Sequence, residues 1–189
     1  MLAKNTMMIL NKDEVLEKKE EIVSAIKMGN IFIYPTDTIY GIGCDATNKN
    51  AVAKIRQIKR RDNNPMSVAV PSKNWIKENC EVIDSSKLDL LPGPYTLILK
   101  IKNPNAIASN VSFKDTLGVR IPNNWFAEII TQAGVPFVTT SVNFSGEKNM
   151  EKIEDVPKEL LDQVDYVIYD GPIVGKQSTR IDLSSASLG

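Results

Sequence analysis

Hydrophobic residues recur along the chain with two different periods. Near-helical spacing predicts amphipathic helices, and short runs rich in β-branched and aromatic residues predict strands. The predicted helices are 12–28, which ends at Gly29, followed by 51–58, 72–80 and a segment around 126–130. The predicted strands are 31–34, 66–70, 96–101, 117–121, 136–141, 166–169 and 181–183. Helices between short strands are typical of an α/β layered domain, so we expect residues 1–189 to form a single domain with an open, twisted mixed sheet and flanking helices.

The composition excludes several kinds of chemistry. The chain has 189 residues and no histidine, which rules out imidazole acid–base catalysis, Ser-His-Asp machinery and zinc sites that need imidazole. Its two cysteines form neither a CxxC motif nor a disulfide framework, as expected in a reducing cytosol. The 23 basic residues equal the 23 acidic residues, which argues against a domain devoted to nucleic-acid binding. The chain shows neither a signal peptide nor a membrane-length apolar run, so we expect a cytoplasmic protein.

Polar residues collect in five clusters at the ends of predicted elements, where α/β folds place their ligands. The clusters are 34–43, 59–65, 91–96, 116–122 and 139–146, and 178–180 has the same character. Each could be an ordinary turn or cap, and Arg120, inside an apolar strand, could equally meet a ligand anion or a structural carboxylate. Together the clusters predict a donor-rich cleft, lined by Lys and Arg, for an anionic small molecule. No acidic cluster indicates a permanent metal site, although Asp37 could meet a Mg²⁺ that a nucleotide brings.

Six segments resemble the YrdC-like family, and specifically its TsaC-type threonylcarbamoyl-AMP synthases, which act in making threonylcarbamoyladenosine in tRNA. They are YPTDTIYGIG, IKRRDNNPM, LPGPYTLIL, TLGVRIP, TTSVNFSG and GPIVGKQSTRIDL. The resemblance implies a twisted mixed sheet around a basic cavity, in which L-threonine, bicarbonate and ATP, with Mg²⁺ as cofactor, form threonylcarbamoyl-AMP and pyrophosphate. It further implies a downstream TsaD-type transferase complex as partner and a weak contact with tRNA. Because the chain ends soon after Leu183, we expect it to lack the C-terminal domain of longer relatives.

The resemblance also implies roles for individual residues. Lys59 and Arg61 would be catalytic. The ATP-binding residues would be Lys59, Arg61, Asn63, Thr116, Ser141 and Asn143, and the threonine-binding residues would be Thr36, Arg120, Thr139 and Ser178. This chain departs from the family pattern at Asp62, where proline is common, and on the strand at 66–70, where many members carry a histidine. It reads Ser-Val-Asn in place of Ser-Ala-Asn, and Arg180 replaces a more typical apolar residue.

Two other functions remain open at this level. One is a paralogue with the same fold but another nucleotide or carbamoyl activity, as in YciO-like proteins and the YrdC-like domain of hydrogenase maturation proteins. The other is an RNA-binding module that uses the basic cavity. Pyrophosphate release that requires both threonine and bicarbonate would distinguish the synthase from both.

Overall fold

The computed structural model describes residues 7–60 and 63–185, and within them ten strands form one mixed sheet. The strand order is β1-β9-β2-β3-β8-β4-β7-β6-β10, with β5 pairing to β6. The strands are β1 (Met8–Leu10), β2 (Phe32–Tyr34), β3 (Gly41–Gly43), β4 (Ser67–Ala69), β5 (Cys80–Glu81), β6 (Tyr95–Ile101), β7 (Thr116–Arg120), β8 (Phe137–Ser141), β9 (Tyr166–Ile168) and β10 (Thr179–Asp182). The helices are α1 (Lys12–Glu17), α2 (Lys19–Lys27), α3 (Lys49–Ile58), α4 (Lys73–Asn79), α5 (Phe126–Ala133) and α6 (Lys158–Leu161).

The fold class predicted from the sequence is confirmed. Strand β9 runs parallel to both β1 and β2, and the pairs β4–β7 and β6–β10 are also parallel. Strand β3 runs antiparallel to β2 and β8, and β8 and β6 run antiparallel to β4 and β7 respectively. The sheet is therefore mixed, with helices on its faces.

Two local expectations were wrong. The predicted helix at 12–28 is two helices, because Lys18 leaves helical geometry at φ −101° and ψ 24°. A capping box between Asn11 and Glu14 begins α1, and Gly29, in the left-handed region at φ 83°, follows the end of α2 as predicted. Strands β1, β3 and β5 were not predicted, and Cys80 of β5 had been placed in the helix at 72–80; each of these short strands is held by its pairing with neighbouring strands of the sheet.

The two faces of the sheet have different neighbours. Side chains alternate along each strand, so Val68, Val119 and Val138, which are paired across β4, β7 and β8, lie on one face. This face packs in the main core, which includes residues of α3 and α4. The other face carries the second core, in which Ala69 and Phe137 are buried with residues of α2 and α5.

Polar residues occupy the rest of that second face. Ser67 is two residues from Ala69 on β4, and Thr139 is two residues from Phe137 on β8, so each shares a face with its apolar neighbour. Ser67 and Thr139 line the cavity, whereas Ala69 and Phe137 belong to the second core. The second core therefore takes up only part of this face, and the polar remainder forms the floor of the cavity.

Candidate functional site

A cavity of about 440 Å³ opens on the polar part of the sheet. All five polar clusters predicted from the sequence, and the similar segment 178–180, contribute residues to its wall. The predicted site residues that line it are Thr36, Lys59, Arg120, Thr139, Ser141, Asn143 and Ser178. The cleft predicted from the sequence is thus present, and it gathers residues that lie far apart along the chain.

Three of the predicted site residues do not line the cavity. Thr116 begins β7 at the far end from Arg120, and its carbonyl accepts a hydrogen bond of 2.9 Å from the Ser112 hydroxyl. Asn63 is exposed, and its neighbour Asn64 lines the cavity in its place. Asp37 lies beside the wall but is not part of it. Arg61, like the departure at Asp62, lies outside the described residues.

The loop after β2 is folded around the buried Thr36 hydroxyl. Thr36 Oγ1 accepts from the backbone N–H groups of Thr38 and Ile39 at 3.1 and 3.2 Å, and it donates to the Ile39 carbonyl at 2.6 Å. This hydroxyl turn directs the chain back into β3 and holds Thr38 on the cavity wall. Thr36 therefore shapes the wall from which a ligand would be bound.

Arg120 is buried on the cavity wall and bound to an aspartate. Its Nη2 donates to Asp37 Oδ1, and its Nη1 donates to Thr38 Oγ1 at 3.2 Å. The other Asp37 oxygen accepts from the backbone N–H of Asn123 at 2.9 Å. Burial lowers the pKa of Arg120 from its ordinary value, and the Asp37 carboxylate partly offsets that effect. The structural ion pair that the sequence left open is present.

Arg120 also keeps binding capacity. Its Nε is buried and has no hydrogen-bond partner in the described part of the chain. The guanidinium lines the cavity together with the hydroxyls of Thr38 and Thr139. Because the ion pair with Asp37 fixes the guanidinium in position, Arg120 is a candidate residue for binding an anion. Its role toward threonine stays a prediction.

Lys59, at the end of α3, is only 1% exposed and is surrounded by oxygen atoms. Its Nζ donates to the Ser141 carbonyl and to two atoms of Asn143, the carbonyl at 3.0 Å and Oδ1 at 2.8 Å. The Ser141 hydroxyl adds a bond of 2.8 Å to Asn143 Oδ1, and Asn143 Nδ2 donates to the Glu147 carbonyl at 2.6 Å. An ammonium group has three protons, so these acceptors can use all of them. Lys59 therefore fixes the loop that follows β8.

The neighbouring arginines also support loops. Arg56 donates to the carbonyls of Asn64, Asn110 and Val111 at 2.7 to 3.2 Å. Arg60, whose φ of 50° is in the left-handed region, stacks at 4.2 Å on a phenylalanine ring and pairs with a glutamate at 2.8 Å. The basic cluster, as far as the structure describes it, is thus held by protein groups. Contact of Lys59 with phosphate stays a prediction.

Five further cavity residues were given no individual role from the sequence: three lie in the predicted clusters 34–43, 91–96 and 178–180, and Ser67 and Gln177 lie outside them. Thr38, Ser67, Thr96, Gln177 and Arg180 all contribute to the wall. The Thr96 and Ser178 hydroxyls are 2.6 Å apart and hydrogen-bonded across β6 and the start of β10. A single hydroxyl in an apolar strand is only a weak indication of a binding site. The alternation of hydroxyl residues with valine and leucine is nevertheless typical of a sheet with one solvent-exposed face.

The segment 171–178, between β9 and β10, packs closely against the wall. A Cβ at Gly175 would lie 2.1 Å from the Thr38 carbonyl oxygen, so only glycine allows this approach. At the start of the segment, the Tyr40 hydroxyl donates to the Gly171 carbonyl at 2.6 Å and accepts from the Asp170 N–H at 2.9 Å. Burial raises the pKa of Tyr40 to about 12. The segment is therefore hydrogen-bonded to the wall at Gly171 and at Ser178 and packs against it at Gly175.

The described cavity wall offers few carboxylates to a metal ion. Both Asp37 oxygens already accept hydrogen bonds, and Glu147 is the one carboxylate among the described lining residues. In the described ranges no group of three Cys, Asp or Glu side chains is arranged to hold a metal. Magnesium takes most of its ligands from phosphates and water when it accompanies a nucleotide, so the described residues fit Mg²⁺ only where a nucleotide supplies phosphate ligands.

None of the helices in the described residues has both the length and the apolar character needed to span a bilayer.

Comparisons with known proteins agree on a family. Residues 24–188 match the Sua5/YciO/YrdC family model, which carries the description telomere recombination. The chain is 41% identical over 182 residues to a protein of Methanocaldococcus jannaschii named "Putative threonylcarbamoyl-AMP synthase", covering 92% of this chain and 84% of that one.

Two solved structures have the same fold. P. abyssi Sua5 complexed with L-threonine is 25% identical, with a TM-score of 0.83, and the match covers 94% of this chain and 54% of that one. E. coli YciO is 26% identical, with a TM-score of 0.81, and the match covers 95% of this chain and 92% of that one. The chain therefore spans about half the length of the P. abyssi protein and nearly all of E. coli YciO.

Proposed function

Because the chain belongs to the Sua5/YciO/YrdC family, we propose that it is a threonylcarbamoyl-AMP synthase. It condenses L-threonine, bicarbonate and ATP into threonylcarbamoyl-AMP and pyrophosphate. The observation that carries the proposal is a buried arginine, Arg120, on the wall of a hydroxyl-rich cavity. The name of the M. jannaschii relative and the threonine complex of P. abyssi Sua5 support it.

The reaction suits a site without histidine or a reactive cysteine. The threonine amine attacks the carbon of bicarbonate, and loss of water leaves a carbamate. A carbamate oxygen then attacks the α-phosphorus of ATP, and the bond to the β-phosphate breaks to release pyrophosphate. The protein has to position the reactants and exclude water, and such positioning can supply about 7–11 kcal/mol of the barrier.

The cavity offers separate surfaces for the two larger substrates. Arg120 binds the threonine carboxylate, and the hydroxyls of Thr139 and Ser178 bind its polar groups. Ser141 and Asn143, on the loop that Lys59 fixes, bind the nucleotide. The phosphate charge would be partly neutralised by a Mg²⁺ that accompanies ATP.

The product requires a second enzyme. Threonylcarbamoyl-AMP is a mixed anhydride that water hydrolyses, so a transferase must accept it soon after release. We assign that step to a TsaD-type complex acting on tRNA in the cytoplasm, with weak contact between this chain and tRNA.

The test is pyrophosphate release measured with each substrate omitted in turn. We expect release only when threonine, bicarbonate and ATP are all present. Ser141→Ala, on the cavity wall, should raise the KM for ATP, whereas Thr116→Ala, outside the wall, should not. Release without threonine would indicate a paralogue of different activity. No release, together with RNA binding that weakens steeply with salt, would indicate an RNA-binding module.

A further inference from the structure

The strand register places two arginines in one row across the cavity floor. Arg180 on β10 is paired with Thr96 on β6. Leu97 is paired with Val119, and continuing this antiparallel register by one residue sets Thr96 opposite Arg120. All three residues line the cavity. Since neighbouring strands lie about 4.8 Å apart, the two arginine backbones are about 10 Å apart, with Thr96 between them.

Arg180 differs from the other cavity cations in its partners. Lys59 donates to three oxygen atoms, and Arg120 is held by Asp37 and Thr38. Within residues 7–60 and 63–185 the structure records no hydrogen bond or ion pair for the exposed Arg180 side chain. A guanidinium carries five N–H donors, so Arg180 has its full capacity available to a ligand.

The substrate chemistry supplies a ligand with two anionic groups close together. When threonine combines with bicarbonate, the carbamate carboxylate is attached to the nitrogen and the original carboxylate to the adjacent Cα. Both are planar, and each can accept two parallel N–H···O bonds from an arginine. One arginine on each side of such a dianion would hold both groups, and Thr96, whose hydroxyl is hydrogen-bonded to that of Ser178, lies between the two arginine positions.

We propose that Arg180 binds bicarbonate and then the carbamate formed from it, while Arg120 binds the threonine carboxylate. The inference rests on the proposed function and assigns the third substrate to a residue. Arg180 stands where the resembling sequences more often carry an apolar residue, so this contact is a property of this chain. It compensates the added negative charge of the carbamate, which a neutral side chain at this position cannot do.

The kinetic test uses three variants. Arg180→Gln removes the charge, Arg180→Lys keeps the charge without the planar fork, and Lys176→Gln removes a nearby exposed charge that does not line the cavity. At saturating threonine and ATP, we expect Arg180→Gln to raise the KM for bicarbonate about 10- to 150-fold, the range for a lost charge-assisted hydrogen bond. The KM for bicarbonate of Arg180→Lys should lie between the values of the wild type and Arg180→Gln, and the KM of Lys176→Gln should match that of the wild type.

A binding measurement without ATP separates this inference from the proposed function. Carbon-13 NMR of labelled bicarbonate with threonine should show a protein-bound carbamate signal for the wild type and for Lys176→Gln, and a much weaker one for Arg180→Gln. Equal signals, or no signal from the wild type, would overturn the role of Arg180, as would a raised KM for ATP in place of bicarbonate. Absence of pyrophosphate release by the wild type would instead overturn the proposed function.

Discussion

Replacing Lys59 by methionine tests whether this lysine fixes the loop after β8 or serves the nucleotide directly. Methionine is unbranched and flexible and can occupy a similar space without a charge. In Lys59→Met, the Ser141 carbonyl and two oxygen atoms of Asn143 lose the ammonium group that now donates to them. We therefore expect the folded state to be less stable, even with no nucleotide present.

The decrease in the free energy of unfolding follows from two opposing contributions. A hydrogen bond from a charged group contributes about 1.5–3 kcal/mol, so three of them represent roughly 4–9 kcal/mol. Removing a buried ammonium returns several kcal/mol of desolvation cost. The difference is about 2–4 kcal/mol. In a chain of this size each kcal/mol lowers the melting temperature by about 2–4 °C, so we expect a decrease of roughly 4–16 °C.

The measurement is thermal denaturation with and without ATP, with Lys54→Met as the matched control. Lys54 is on the same helix, is about half exposed and pairs with Asp165 at 3.5 Å, so its loss should cost about 1 kcal/mol or less. A variant at Lys59 that melts like the wild type but binds ATP at least tenfold more weakly would refute the structural argument. It would establish Lys59 as the phosphate ligand that the sequence predicted.

Three further changes have defined outcomes. Arg120→Lys loses the planar fork, so calorimetric titration should show threonine affinity lower by about 5- to 150-fold, or 1–3 kcal/mol, and a lower melting temperature; unchanged affinity would leave Arg120 a purely structural group. Gly175→Ala puts a Cβ 2.1 Å from the Thr38 carbonyl and should weaken threonine binding more than the exposed control Val174→Ala, and equal affinities would contradict this. Burial raises the pKa of Cys80 to about 11. Between the unfolded pKa of about 8.5 and pH 11, the unfolded chain loses the thiol proton while the folded protein keeps it, so the free energy of unfolding is highest below pH 8.5 and decreases as the pH rises towards 11. The urea midpoint should therefore fall between pH 8 and 10, and it should fall less in Cys80→Ala.

The periodic elements could be predicted well, and the exceptions have tertiary causes. Strand β8 was predicted at 136–141 and lies at Phe137–Ser141, because a run of β-branched residues marks it clearly. Strand β3 has a single isoleucine between two glycines, and nothing local identifies it. A Cβ at Gly43 would lie 2.0 Å from the Val138 carbonyl oxygen, so the glycine is required by a partner strand that is distant in sequence.

The cleft could also be predicted, but not the partners of its cations. The clusters around Thr36, Arg120 and Ser141 do meet at one cavity. The acceptors of Lys59 are 82 and 84 residues away, however, and a basic cluster at a helix end gives no indication that one of its members is almost fully buried. Likewise, the ion pair between Arg120 and Asp37 depends on how β7 and the loop after β2 meet in space.

Because side chains alternate along the cavity strands, neighbouring residues on one strand serve the cavity and the main core separately. Ser67 on β4 and Thr139 on β8 face the cavity, where a ligand would be bound, and the positions beside them, Val68 and Val138, face the main core. A substitution at a ligand-facing position leaves the main core unchanged, and a repacking of the main core leaves the ligand surface unchanged. Related proteins can therefore acquire new substrates through changes at Ser67 and Thr139, while Val68 and Val138 beside them maintain the same scaffold.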